Sequence, residues 1–584
     1  MSSKDILLIL RKGRLFTFSK YLPEILEAEG ITNFECSTNC ENLNNYTVVI
    51  TCAELKEEEW KYLEEYVRRG GRLISIRPPV SQARIFGLRP LNKKLSDYHL
   101  VPKYMGLNEK IPITKGLPGN IIQLVSEGDI YEVEEASAIA YIYLCRDYRT
   151  NYPAISINQY GKGIAVAYLY DLTECVVMLR QGRIENANKD VDGSGALKPN
   201  DLFIGLLDPR LRWVPQADLH MKLLTRIIEH LFNGVKPLPR IWYFPYGAES
   251  VVVMTGDSDV MALKDLKVLC SLIKKYNAQY TLYVRPEDQK AIPSNLVKEL
   301  KEEGITLGPH TFPGLMPSIE EARRIIREQV NAHVRAYGRA LTHRGHCTIW
   351  TGWVDMAKIL EENGIKMDLS YYPYKYFQVG YLNGSGLPMK FIDEKGEILN
   401  IYEQSTHWAD DVALVDKTFI DPYDIDKLIK ETFKTIEESA KTYHTALTFC
   451  IHPINMRPNV LNSIEWMKAV LSYCKERNIP VLSADNWFEF NEARRSVKVK
   501  EVSLTGTKCT VMLEVSKEVK GITLLLPNKF RGSQVKRVVV NGSDKKYSVK
   551  EIYGKHYLTI IMNLKPPRAI ICLLYTSPSP RDRG

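Results

Sequence analysis

The chain has no uninterrupted apolar run of about 18 residues or more, the length that a membrane-crossing helix needs. Its opening apolar stretch, DILLIL, is short and is followed by basic residues with no small-residue cleavage site. It reads as a first strand and not as a signal peptide. No CxxC pair exists, and of 11 cysteines only Cys36 and Cys40 lie close together. That excludes a disulfide framework and leaves scattered buried thiols in a reducing compartment. No Lys/Arg block is dense enough for a nucleic-acid footprint, because 78 Lys+Arg against 69 Asp+Glu, formally +9, is spread over 584 residues. The expectation is a soluble, cytoplasmic chain with neither a nucleic-acid nor a membrane partner.

What is present is ordinary globular composition, 45% hydrophobic, 10% aromatic and 25% charged. It excludes a disordered chain, a collagen-like chain and a coiled coil. At roughly 150 residues per domain the length predicts about three or four domains, each with its own core. The stretch from Cys572 to Asp582 resembles the one-frame translation of a sequencing adapter, a scar of environmental sequence assemblies. Residues 572–584 are therefore read as an artefact and set apart from the fold.

From residue 4 to about 236 the pattern alternates strand and helix. YTVVIT is a β-branched strand, ELKEEEWKYLEEYVRRGG an amphipathic helix closed by glycine, and RLISIRPP a strand stopped by prolines. The alternation predicts a parallel sheet with helices on both faces. YPAISINQYGKGIAVAYLYDL reads as a hairpin around Gly161–Gly163. Residues 1–236 resemble the glutamine-amidotransferase-like, flavodoxin-like α/β domains. Active members carry a nucleophilic cysteine on a sharp glycine-rich turn, whereas the turns here read RGGRLIS and CAELK. The resemblance implies a non-catalytic scaffold or binding domain, with no Cys or Ser nucleophile paired with a His. Asn188, Asp190, Asp192 and Gly193 match the start of a calcium loop, but Pro199 stands where a bidentate Glu is required. A solvated acidic turn is the expectation.

PLPRIWYFPYG, around residues 237–247, reads as a connector. Strands and helices then alternate again to residue 495, which is barrel-like αβ repetition. From 496 to 571 the period falls to two with Asn-Gly and Gly turns, a small antiparallel β-sandwich that should send no titratable group to the barrel mouth.

Seven of the 11 histidines lie in the middle domain, several directly after apolar strands. VVVMTGDSD puts Asp257 and Asp259 just past a buried strand, and ITLGPH puts His310 at a strand end. LTHRGHCTIW gathers His343, Arg344 and His346, and LTFCIHP ends on His452. Titratable groups at strand C-termini are how a barrel builds a site. A zinc site wants imidazoles and a carboxylate with a position left for water, and a hydrolase wants a second carboxylate and a proton donor.

On these residues the middle domain, 237–495, resembles the polysaccharide deacetylase (NodB-homology) family, whose fold is a distorted, incomplete (β/α) barrel holding a divalent metal. The first family motif appears as Thr255-Gly256-Asp257-Ser258-Asp259. It implies Asp257 as catalytic base and Asp259 as metal ligand. His310 matches the first histidine of the second motif, while Gly314 occupies the place of the second. Branches without that histidine carry Arg-x-His on the next strand, and Arg344-Gly345-His346 fits. His346 is then the third ligand, with His343 as its substitute, and Arg344 holds the base ionised. Asp368-Leu369-Ser370 resembles the fourth motif and His452 the fifth. His452 is implied as the proton donor to the leaving group, with Asp368 orienting it. GYLNGSGLPMKF resembles a glycine-rich loop on the substrate side.

The implied chemistry is removal of acetyl groups from an N-acetylated carbohydrate, with Zn2+ or another divalent transition metal on Asp259, His310 and His346. Two alternatives stay open: a non-catalytic carbohydrate-binding or assembly protein on the same barrel, and an amidase for a small non-sugar amide.

Overall fold

Both faces of the strand Ile6–Leu10 are buried, and each face belongs to a different apolar cluster. Ile6 and Leu8 pack with the helices Tyr21–Ala28 and Gln216–Phe232, while Leu7 and Ile9 pack with Trp60, Leu63 and Val67 of the helix Glu57–Arg68. A near-continuous apolar strand is what a sheet covered on both sides requires. The computed structural model describes residues 4–97, 103–372, 379–382, 384–415 and 423–576. In the first domain five strands run parallel in the spatial order Phe34–Ser37, Ile6–Leu10, Val48–Cys52, Arg72–Ile76 and Gly163–Tyr168. The expected hairpin then adds the antiparallel strand Tyr148–Tyr160, and three further antiparallel strands complete a nine-stranded sheet.

The middle domain is a curled sheet of parallel strands. Ile398–Glu403, Met367–Asp368, Thr342–Gly345, Ile305–Thr311, Tyr280–Val284, Val251–Asp257, Ala446–Cys450 and Trp408–Ala409 follow one another in space. Among the described residues the first and last of these strands are not bonded to each other, so the sheet curls without closing. All the strands in this row point the same way, so their C-terminal ends gather at one rim.

At the C-terminus two antiparallel sheets share one core of Val499, Val511, Leu524, Ile560 and Ile571. Two boundaries move. The Pro-rich segment taken as a connector contributes a strand, Arg240–Ile241, paired with Val519–Pro527. The last strand, Arg568–Tyr575, runs through Cys572 and buries Leu573 and Tyr575, so the C-terminal sheet extends past residue 571. Residues 577–584 of that tail lie outside the described residues. The 11 cysteines are free, but only Cys52, Cys175, Cys450, Cys474 and Cys509 are buried, fewer than expected. Among the described residues no helix is long and apolar enough to cross a membrane.

The first and middle domains do not meet across water. Leu179 and Phe203 of the first share a cluster with Trp350, Trp353, Tyr371 and Phe391 of the second. Within that contact Arg180, on the helix Leu172–Gln181, pairs with Glu403 at the end of Ile398–Glu403, the two side chains 1% and 2% exposed. Removing one member of such a pair strands a charge in a dry site. Arg180→Ala should lower the unfolding free energy by about 3–5 kcal/mol, read from the shift of the denaturant midpoint at unchanged slope.

Candidate functional site

Asp257 closes the strand Val251–Asp257, and Asp259 follows two residues later. His310 is the penultimate residue of Ile305–Thr311, Arg344 lies in Thr342–Gly345 with His346 just past it, and His452 stands two residues beyond Ala446–Cys450. Successive side chains of a strand face opposite ways, and this divides LTHRGH. Arg344 turns to Asp257, and His343 turns away to Thr311 Oγ1 at 2.8 Å and Asp368 at 2.7 Å. Gly256 lets the neighbouring strands close up. A Cβ there would lie 1.9 Å from the Tyr280 hydroxyl and 2.2 Å from Ile451 O.

Three ligand-type atoms converge. His310 Nε2 is 3.3 Å from His346 Nδ1, and Asp259 Oδ1 is 3.4 Å from His346 Nδ1 and 3.8 Å from His310 Nε2. A tetrahedral zinc with bonds of about 2.1 Å sets its ligand atoms about 3.4 Å apart, so this triangle has the right size. His310 Nδ1–H donates to Arg344 O at 2.8 Å, which fixes the tautomer and leaves the Nε2 lone pair facing inward. Burial lowers the His310 pKa despite the two aspartates, which favours the neutral ring that a ligand offers. Asp259 Oδ1 is a buried oxygen with no hydrogen-bond partner. Arg285 Nε lies 3.2 Å from it but aims its N–H at Asp288, 2.7 Å away. Burial alone would lower the His346 pKa, yet Asp259 and Cys347 raise it to about 10. The spot demands a positive charge, which a proton or a divalent cation supplies. These residues fit a metal.

Two further groupings of ligand-type atoms share this rim, Asp257–Cys450–His452 and Asp410–Asp411–His452. Both are committed elsewhere. Burial holds the Cys450 thiol well above its ordinary pKa, so it stays protonated. Asp257 Oδ1 accepts from Arg344 Nη1 at 3.1 Å, and Arg344, 1% exposed, also donates to Thr255 and Thr406. Burial works against the Asp257 charge, but His310, Arg344 and His452 together hold its pKa below the usual carboxylate range. Its other oxygen, Oδ2, lies 3.6 Å from His310 Nε2 and 3.7 Å from His452 Nε2.

His452 corrects one expectation. Its Nδ1–H goes to Asp410 Oδ1 at 2.6 Å, and Asp410 is held by the His452 N–H and Ser463. Asp368 is instead the partner of His343 and of Ser370, so it does not orient His452. Asp410 was missed although it too stands at a strand end, because its strand, Trp408–Ala409, is only two residues long. Burial disfavours the imidazolium, but Asp410 and the other nearby carboxylates raise the His452 pKa well above its ordinary value.

Gly314 also has a backbone reason. Its φ is +110°, which side-chain-bearing residues rarely adopt. The turns after two of the converging residues are strained as well, with Val260 at φ 49° behind Asp259, and Cys347 and Thr348 at 52° and 53° behind His346. Non-glycine residues held so cluster at functional sites.

In the first domain a Cys–His pair is present where none was expected. Cys175 Sγ lies 3.6 Å from His220 Nε2. The ring is already bonded to Tyr170 OH at 2.8 Å and Gln123 O at 3.0 Å, and both side chains are fully buried. Burial pushes the thiol up to about 12 and the imidazole down to about 4. Neither a thiolate nor an access path is provided, so the pair does not have the chemistry of a nucleophile.

No protein-family model and no curated protein matches the chain. Among solved structures it is similar to a candidate polysaccharide deacetylase from Mycobacterium smegmatis, at 14% identity over 45% of this chain and 96% of that one, with a TM-score of 0.33. It is also similar to a CE4-family pseudoenzyme from Bacillus anthracis, at 12% identity over 42% and 66% of the two chains, with a TM-score of 0.27. A third similarity is to a β-galactosidase from Bacillus circulans sp. alkalophilus, at 14% identity over 29% of each chain, with a TM-score of 0.24.

Metal analysis after dialysis tests the ligand triangle. Wild-type protein should retain about one zinc per chain, and His346→Ala should lose it. Adding Gly314→His to that variant should not restore it, because the left-handed backbone at φ +110° costs a side-chain-bearing residue about 1–2 kcal/mol. Zinc recovered by the double variant would show that the third ligand is misassigned.

Proposed function

We propose that the middle domain is a metal-dependent amide hydrolase that removes acetyl groups from an N-acetylated carbohydrate. One observation carries the reading. An ionised carboxylate oxygen, Asp257 Oδ2, and a carboxylate-backed imidazole, His452 Nε2, stand 3.7 Å apart beside the Asp259–His310–His346 triangle. A protein that only binds sugar has no need of that pairing. Zinc or another divalent transition metal on Asp259, His310 and His346 supplies a Lewis acid and a water whose pKa falls to about 7.

Asp257 acts as general base. Arg344 occupies Oδ1 and keeps the group charged, so Oδ2 is the oxygen that takes the proton of the attacking water. His452, protonated and held by Asp410, gives its Nε2 proton to the departing amine. The new carbon–oxygen bond forms first, and the tetrahedral adduct then expels the amine as His452 protonates it, so acetate and a free amine leave. The curled sheet is read here as a distorted (β/α) barrel of the deacetylase kind. The strand order 2-1-3-4 of the first domain supports a flavodoxin-like scaffold, and the two C-terminal sheets around one core support a β-sandwich.

Asp257→Asn should abolish turnover by at least ~10²-fold, the worth of a general base, while keeping the metal, whereas Asp259→Asn should lose the metal itself. The reverse pattern exchanges the two roles.

Asp410→Asn tests the acid. Its charge raises the His452 pKa, and the donor must be protonated to act. Turnover therefore falls as pH rises through that pKa, and the alkaline limb of the kcat profile should move to lower pH in the variant. An alkaline limb that stays in place assigns the proton donation elsewhere.

A further inference from the structure

The cleft that holds Asp257, Asp259 and His452, a space of about 370 Å3, is not built by the middle domain alone. Ser194, Ala196 and Lys198 of the first domain line it too. They lie on a loop that spans the rim of the curled sheet. Leu197 N–H donates to Leu315 O, and Trp350 N–H donates to Leu197 O, each at 2.9 Å. Gly352 N–H donates to Asn188 Oδ1 at 2.8 Å. Leu315 follows the strand that carries His310, and Trp350 follows His346 by four residues. The loop therefore straps together the two segments that bear the imidazoles.

The strap has its own internal scaffold. Asp201 accepts from the Val191 and Asp192 N–H groups, and Asp190 accepts from those of Ser194 and Gly195, each at 2.8–3.0 Å. Of the residues that mimic a calcium loop, Asp190 spends both oxygens on backbone N–H groups and Asn188 Oδ1 accepts from Gly352 N–H, so the turn is braced and not merely solvated. A groove that lets a polymer run through the site must be open at both ends, and here one side is bridged by hydrogen-bonded backbone. Lys198 stands in that bridge, 7% exposed. A lysine offers donors only, which suits the hydroxyl and carbonyl oxygens of a sugar.

Resting on the deacetylase reading, we propose that residues 188–198 are a wall of the substrate site, that Lys198 binds the substrate, and that the site takes a short or chain-terminal N-acetylated sugar and not an interior residue of a long chain. The test uses the full-length, zinc-loaded chain with a linear hexamer of N-acetylglucosamine, and mass spectrometry locates the freed amine. Acetate should be lost from an end residue only, and interior loss overturns the proposal. Lys198→Met should raise KM about ten-fold or more, the worth of a charged hydrogen bond, with kcat changed less than about three-fold and zinc content unaltered. An unchanged KM overturns the binding role. If the wild-type chain cleaves no acetamide, the deacetylase reading fails and the wall is judged separately on Cys347, the exposed thiol that lines the cleft. Ala196→Trp should then slow Cys347 labelling by N-ethylmaleimide severalfold in a protein that still binds zinc, and an unchanged rate overturns the wall.

Discussion

A guanidinium buried at 1% exposure must be answered on every side, and the answer to Arg344 organises the rim of the curled sheet. Its donors reach Asp257 and Thr255 on one strand, Thr406 on a second segment and the carbonyl of Leu369 on a third, which with its own strand makes four. Tyr283 lies against it, with the charge 5.0 Å from the ring centre. A charge in a site of low dielectric constant is tolerated only when partners are in place before it arrives. Arg344 therefore fixes where four chain segments end relative to one another. Asp257 is held ionised by the same contact, and His310 is oriented by the backbone carbonyl of the same residue. Asp257 and His310 thus hang from one residue, the first from its side chain and the second from its backbone.

Much of this rim was legible in the sequence, for a simple reason. A strand buried on both faces is an apolar run, and the first polar residue after it is forced to the sheet end. Asp257, His310 and His452 stand at the ends of such strands, whereas Arg344 and His346 belong to the short polar segment THRGH and were singled out by their clustering and by the resemblance. Where that signal weakens, the reading weakens with it. Asp410 follows a strand of two residues, and Arg285 follows a clear strand but resembles any solvated arginine. Asp368 was visible as a strand-end carboxylate, but which imidazole it holds depends on strand order, which periodicity does not encode. The same holds for Cys175 and His220, which are 45 residues apart and meet only because two helices pack on one sheet face.

The fold itself divides in the same way. The hairpin at Gly161–Gly163 and the alternating helices and strands are local, and their residues carry them openly. The strap of residues 188–198 and the pairing of Arg180 with Glu403 are contacts between distant segments, made where two domains share a core. A reading that assigns each domain its own core has no means of finding them. For that reason the first domain looked like a separate scaffold, although its side chains line the cleft of the candidate site.

The short strand Arg240–Ile241 has a consequence for solubility. It lies on one edge of the four-stranded C-terminal sheet, against Val519–Pro527, whose sequence ITLLLP is among the most apolar in the chain. An uncovered edge of that composition is a template for pairing with other molecules. The segment that links the first two domains is also the guard of the third, so a C-terminal fragment cut free of it would be released with its stickiest edge open.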